Sequence, residues 1–143
     1  MTVVQGNILD ITEGVIVHQV NCKKVMGAGL AKQIRAKYPQ HYEDFMKTAP
    51  VMGDIVKSEI TPDKLYIVGC YGQDGYGTDK QYTDHLALYG GLIKAAKLAQ
   101  KKGLTLYAPY KLGCGLAGGD WEVVKGLLER VTYYAPVVIV KFD

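Results

Sequence analysis

A chain of 143 residues with 48% hydrophobic and 22% charged residues suits one globular domain around a single core, and its composition gives no support to a disordered or fibrous class. Three cysteines, Cys22, Cys70 and Cys114, are odd in number and form no C-x-x-C pair, which argues against a disulfide framework or zinc site and for reduced thiols. The net charge of +3 forms no Lys and Arg stripe and so leaves no nucleic-acid footprint, though it mildly favours a small anionic ligand.

Residues 2–5 (TVVQ) and 14–20 (GVIVHQV) are β-branched runs of strand type, separated by the turn-rich GNILDITEG. Met1 leads straight into that first strand with no basic-then-apolar signal segment, and no apolar run exceeds strand length, so the expected location is cytoplasmic, away from any membrane. After Asn21 comes a glycine loop, KKVMGAGL, and then Leu30, Ile34 and Tyr38 at four-residue spacing predict a helix of about ten residues stopped by Pro39. HYEDFMKTA (41–49) reads as a second short helical piece, and DIVKSEI (54–60) and KLYIVGC (64–70) as strands. Residues 71–82, rich in glycine and tyrosine, read as a mobile loop.

Either Thr83 or Asp84 caps the longest helix, whose Leu88, Leu92, Ala95 and Ala99 share one face and which ends at Gly103. LTLYAPY (104–110) is a buried strand, Asp120 is an N-cap before Val124, Leu127, Leu128 and Val131, and APVVIVKF (135–142) is a closing strand. Strands alternate with helices, without repeats or linkers. The reading is a single domain over 1–143, of α/β type, with helices on both faces of a central sheet.

Two segments share the order apolar strand, glycine loop, helix: VHQVNCKKVMGAGLAKQIRAKY and LYAPYKLGCGLAGGDWEVVKGLL. The second places Gly113, Gly115, Gly118 and Gly119 within seven positions. Each glycine costs backbone entropy, so the cluster marks a chain that takes positive φ or lies against something a Cβ would exclude. Such loops sit at the carboxyl ends of strands, where helix N-termini and free N–H groups suit an anion. A diphosphate bridging the two would be held by backbone donors; two tight strand-to-helix turns account for the same glycines. Neither loop fits G-x-x-x-x-G-K-[ST]. Gly113, Gly115 and Gly118 do spell G-x-G-x-x-G, but late in the chain and without an acidic ribose reader about twenty residues further on.

Taken together, QGNIL near the start, HQVNC-x4-GAGLA and PYKLGCGLAGGDW resemble the macrodomain family, in particular its branch that processes ADP-ribose-1''-phosphate, in the right order and over essentially the whole chain. The resemblance implies a three-layer α/β/α sandwich around a mixed sheet of about six strands, with an ADP-ribose cleft on its crest. Gly27, Ala28, Gly29 and Leu30 would pass beside the distal ribose and phosphate, and Leu112, Gly113, Cys114, Gly115, Leu116 and Ala117 would wrap the diphosphate.

Asn7 stands where many macrodomains carry an Asp facing the adenine amine; it keeps an acceptor without the charge, and a local turn role is the alternative. Ile8 would pack near the adenine. Asn21 matches the asparagine that orients the distal ribose, with a strand-end cap as the other reading. His18, in His-x-x-Asn-Cys, is similar to the phosphatase-like branch and would shuttle a proton, or else is a core histidine. Strand alternation places His18 and Val20 on one face and Asn21 on the other, unless the strand is irregular there. Asp120 matches an acidic position of this branch and would activate water, or would serve only as a cap.

Trp121 reads as a packing anchor, Cys22 and Cys114 as bystanders, and Tyr71, Gln73 and Tyr76 as lid residues. The place where one hydrolase group of the wider family carries a lysine reads CYGQ, so lysine chemistry is not implied. The implied function is hydrolysis at the distal ribose C1'', with the phosphate of ADP-ribose-1''-phosphate as the first leaving group and an ADP-ribosyl ester or nucleobase adduct as the second. Its catalytic residues would be Asn21, Asp120 and His18. The alternative is a non-catalytic ADP-ribose reader. Expected partners are ADP-ribose, ADP-ribose-1''-phosphate and ADP-ribosylated macromolecules, with no cofactor, no metal and a monomeric chain.

Overall fold

The computed structural model describes residues 1–142. Among them, β1 (Thr2–Gln5), β2 (Gly14–Asn21), β3 (Ile55–Thr61), β4 (Leu65–Gln73), β5 (Leu106–Pro109) and β6 (Val137–Lys141) form one sheet in the order β1-β6-β5-β2-β4-β3. Every neighbouring pair is parallel except β3 with β4. Four helices complete the fold: α1 (Gly29–Lys37), α2 (Pro39–Lys47), α3 (His85–Lys102) and α4 (Trp121–Val131).

Central parallel strands need apolar residues on both faces, because helices cover both. β2 meets this requirement by alternation. Val15 and Val17 belong to the cluster of Leu88, Leu92, Leu106 and Leu128, on the α3 and α4 side. Ile16 joins Ile34 and Tyr38, and Val20 joins Met26 and Phe45, on the side of α1 and α2. The result is the three-layer α/β/α arrangement with a mixed six-stranded sheet.

Three element boundaries each have a physical reason. Pro39 does not merely stop α1; it opens α2, where its missing N–H and fixed φ are suited to the first turn. Asp84, not Thr83, caps α3, its carboxylate accepting from Leu86 N and Ala87 N, while Gly103 closes the helix at φ +67°. β4 runs past residue 70 to Gln73. That extension takes Tyr71 into the core, fully buried and stacked on Phe45 with ring centroids 6.2 Å apart, so Tyr71 is no lid residue. The strand can continue because Gly72 has no side chain: a Cβ there would lie 2.3 Å from Gln19 Oε1.

Candidate functional site

β5, β2 and β4 are consecutive parallel strands, so the segments that follow all three emerge at the same edge of the sheet. There they enclose a cleft of about 510 Å³, within the size range of small-molecule sites. β2 supplies His18, Gln19 and Asn21; Gly27, Ala28, Gly29 and Leu30 form one wall; Pro109 to Gly113 and Gly115 to Ala117 form the opposite one. Val20, Val25, Ala31, Gln73, Tyr76, Gly77 and Thr78 complete the lining.

The second glycine loop is pinned from below. Thr83 Oγ1 donates to Gly113 O at 2.6 Å and accepts from Gln19 Nε2 at 2.8 Å. Gln19 Nε2 also donates to Gln73 Oε1 at 2.8 Å. Gly119 N donates to Gly113 O at 2.9 Å, and a Cβ on Gly119 would fall 2.5 Å from that same oxygen. Gly113 and Gly118 have φ of +71° and +74°, a region that disfavours side chains. Gly115 alone of the four has neither constraint: a Cβ there meets no protein atom within 4 Å, and the residue lines the cleft. Three glycines thus build the loop, and the fourth leaves space for a ligand.

The first loop is organised by Asn21. Its Oδ1 accepts from Lys23 N at 3.0 Å and from Val25 N at 3.2 Å, while Nδ2 donates to Val25 O at 2.8 Å. One of the two amide hydrogens stays available. Both His18 and Asn21 reach the cleft despite their odd spacing, and the β2 and β4 register shifts between Val20 and Asn21.

His18 is 2% exposed. Its Nε2 lies 2.9 Å from His41 Nε2, and His41 Nδ1 lies 2.9 Å from Ser58 Oγ. Burial, with His41 adding to it, holds the His18 pKa well below the ordinary histidine value. Burial likewise lowers His41 to about 4, against the opposing pull of Asp44. Both rings are therefore neutral at pH 7. His18 Nδ1 and Gln19 Oε1 are buried without a hydrogen-bond partner, two unpartnered polar atoms on residues that line the cleft.

Four of the predicted residues lie outside the lining. Asn7 Oδ1 accepts from Leu9 N at 2.9 Å and caps the 3-10 turn Ile8–Asp10. Ile8 is buried in the cluster of Ile34, Tyr38 and Val140. Cys114 Sγ donates to Leu112 O at 3.2 Å, and burial, reinforced by Asp120, raises its thiol to about 11. Asp120 is the N-cap of α4: its Oδ1 accepts from Glu122 N at 3.0 Å, and its own N–H donates to His85 Nε2 at 3.0 Å. Trp121 packs edge-on to Tyr110 with centroids 5.1 Å apart. Among the described residues, no Asp or Glu lines the cleft. Among the described residues, no group of three or more His, Cys, Asp or Glu is placed to hold a metal ion, and no helix is long and apolar enough to cross a membrane.

No family model matches the chain. It is 27% identical over 139 residues to an uncharacterized 17.5 kDa protein of Enterobacteria phage T4, covering 90% of this chain and 86% of that one. It is 28% identical over 142 residues to a DNA ADP-ribosyl glycohydrolase of Mycobacterium tuberculosis, covering 93% of this chain but only 39% of the relative's length. Among solved structures, the macrodomain of M. tuberculosis DarG superimposes with a TM-score of 0.79 at 24% identity, over 97% of this chain and 95% of that one. The fold is the macrodomain fold. A Thermosipho africanus DarTG in complex with ADP-ribose matches with a TM-score of 0.76 at 22% identity, over 98% of this chain and 41% of that one.

Within the macrodomain fold, the floor residue absent from the sequence reading is Gln19. It joins β2, Gln73 and Thr83 beneath the second loop, and its partners lie 54 and 64 residues away. The nearest local signal is Gly72, the glycine that admits it. His41 and Ser58 were missed for the same reason, since 23 and 17 residues separate the members of their hydrogen bonds.

Proposed function

We propose that the cleft binds ADP-ribose derivatives and hydrolyses them at the distal ribose C1''. The observation that carries this reading is the convergence of both glycine loops on a single cleft whose lining includes Asn21, His18 and Gln19. It is supported by similarity to a DNA ADP-ribosyl glycohydrolase and by fold neighbours that include an ADP-ribose complex. In this reading Gly115 gives the diphosphate close access to backbone N–H groups, and the free Asn21 amide hydrogen holds a distal-ribose hydroxyl.

Proton handling falls to His18, because Asp120 is engaged as a helix cap outside the cleft. The first substrate is ADP-ribose-1''-phosphate, and ADP-ribose attached to a macromolecule is the second. A phosphorus NMR time course with ADP-ribose-1''-phosphate tests the proposal: shifted diphosphate resonances and growing inorganic phosphate are expected.

A non-catalytic reader is the second reading, favoured by the lack of any carboxylate among the described residues of the lining. Shifted resonances with neither phosphate release nor turnover of a macromolecular ADP-ribosyl adduct would select it. No perturbation at all would end both.

A further inference from the structure

We infer that Asp44, Ser58 and His41 form a hydrogen-bond relay that fixes His18, a residue of the cleft lining, in its Nε2-protonated tautomer and so leaves its Nδ1 as the ring's proton acceptor. The inference rests on the catalytic reading of the cleft but is argued from geometry of its own. Ser58 Oγ lies 2.6 Å from Asp44 Oδ2, and a carboxylate only accepts, so the Ser58 hydroxyl hydrogen points to Asp44. Ser58 Oγ must then accept from His41, which places the His41 hydrogen on Nδ1 and leaves its Nε2 bare. His41 Nε2 in turn accepts from His18 Nε2. By elimination, His18 Nδ1 carries no hydrogen, and this is the buried ring nitrogen without a partner.

The relay answers an objection to His18 as a base. A buried imidazolium is disfavoured, and the depressed His18 pKa expresses that cost. With the relay, no ring need hold the charge. When Nδ1 takes a proton from water, the His18 Nε2 hydrogen passes to His41 Nε2, the His41 Nδ1 hydrogen to Ser58 Oγ, and the Ser58 hydroxyl hydrogen to Asp44. One O–H bond of water breaks and one forms on the half-buried Asp44 carboxyl. The hydroxide attacks C1'', the leaving oxygen departs with the bonding pair and takes the Nδ1 hydrogen, and the chain of hydrogens runs back. Asp44 is the charged group acting on His41, and His41 the titratable group acting on His18.

Long-range proton–nitrogen NMR of histidine-labelled wild-type protein at pH 7 tests the relay directly. Two neutral rings are expected, His18 protonated at Nε2 and His41 at Nδ1; the opposite tautomer on either ring, or a charged ring, overturns the inference. Ser58→Ala should erase the His41 preference and lower kcat on ADP-ribose-1''-phosphate roughly 10-fold or more with KM held, and Ser58→Thr should restore both. An unchanged kcat in a folded Ser58→Ala protein would also overturn it. If wild-type protein leaves ADP-ribose-1''-phosphate unbound and intact, the functional reading fails, while the tautomer spectrum still decides the relay.

Discussion

The two glycine loops face each other across one cleft, yet they are held in different ways. The second loop is pinned through Gly113 by Thr83, which Gln19 supports, and by Gly119, and two of its glycines adopt left-handed φ. The first loop has Gly27, Ala28 and Gly29 exposed; it is tied at its root by the Asn21 amide and by Met26, buried among Val20, Phe45 and Tyr71. The adjacent residues His18 and Gln19 divide the work. Gln19 supports the second loop, whereas His18 turns to the α1 and α2 side and bonds to His41. One wall is a preset backbone cradle, and the other is an open segment above a buried polar chain.

Changing the second loop should cost most. Gly119→Ala forces a Cβ against Gly113 O at 2.5 Å and should destabilise the fold by about 3 kcal/mol, read as a lower urea midpoint with unchanged slope. A midpoint within error of wild type would mean that the loop is as adaptable as the first one.

Acid probes the other wall. His41 has a folded pKa of about 4 against about 6.5 unfolded, so below pH 6.5 the unfolded chain binds a proton that the folded chain refuses. Stability should therefore fall as pH drops from about 6.5 toward 4, by on the order of 3 kcal/mol from this group. Urea unfolding across that window checks it; a flat profile would show that the buried pair is charged or solvated.

Thr83→Val keeps the shape but removes the hydroxyl that serves both Gln19 and Gly113. Leaving those groups unsatisfied should cost about 2 kcal/mol and loosen the second loop, seen as faster amide exchange at Gly119. Equal acceleration in both loops would dissolve the distinction. The smallest effect on stability is expected at Gly115, where a Cβ meets only open space. Gly115→Ala should change stability by less than about 0.5 kcal/mol yet weaken ADP-ribose binding about 10-fold in calorimetry. Unaltered affinity would show that the ligand does not approach this backbone.

Features governed by near neighbours were legible in the sequence: the alternation in β2, the Gly103 terminus, and Asp120 before an i, i+3, i+4, i+7 stripe. The chemistry of the floor was not. A glycine and a glutamine after Tyr71 look like loop residues locally, but Gly72 extends a strand because Gln19 needs its space. His18 looked like a residue that either shuttles a proton or fills the core. The structure makes it both buried and cleft-lining, with a partner on α2 that no local pattern encodes.

The sheet order also has a kinetic consequence. Among the described residues β1 pairs only with β6, so β1 has no strand neighbour in this sheet until residues 137–141 have emerged. Ile8, just beyond β1, belongs to the cluster that contains Val140 and must wait with it. Docking of this edge joins the most widely separated pair of strands in the sheet, and such non-local pairing is slow. The parallel core of β5, β2 and β4 that frames the cleft makes no strand pairing with β1, so fraying confined to β1 would leave that frame intact.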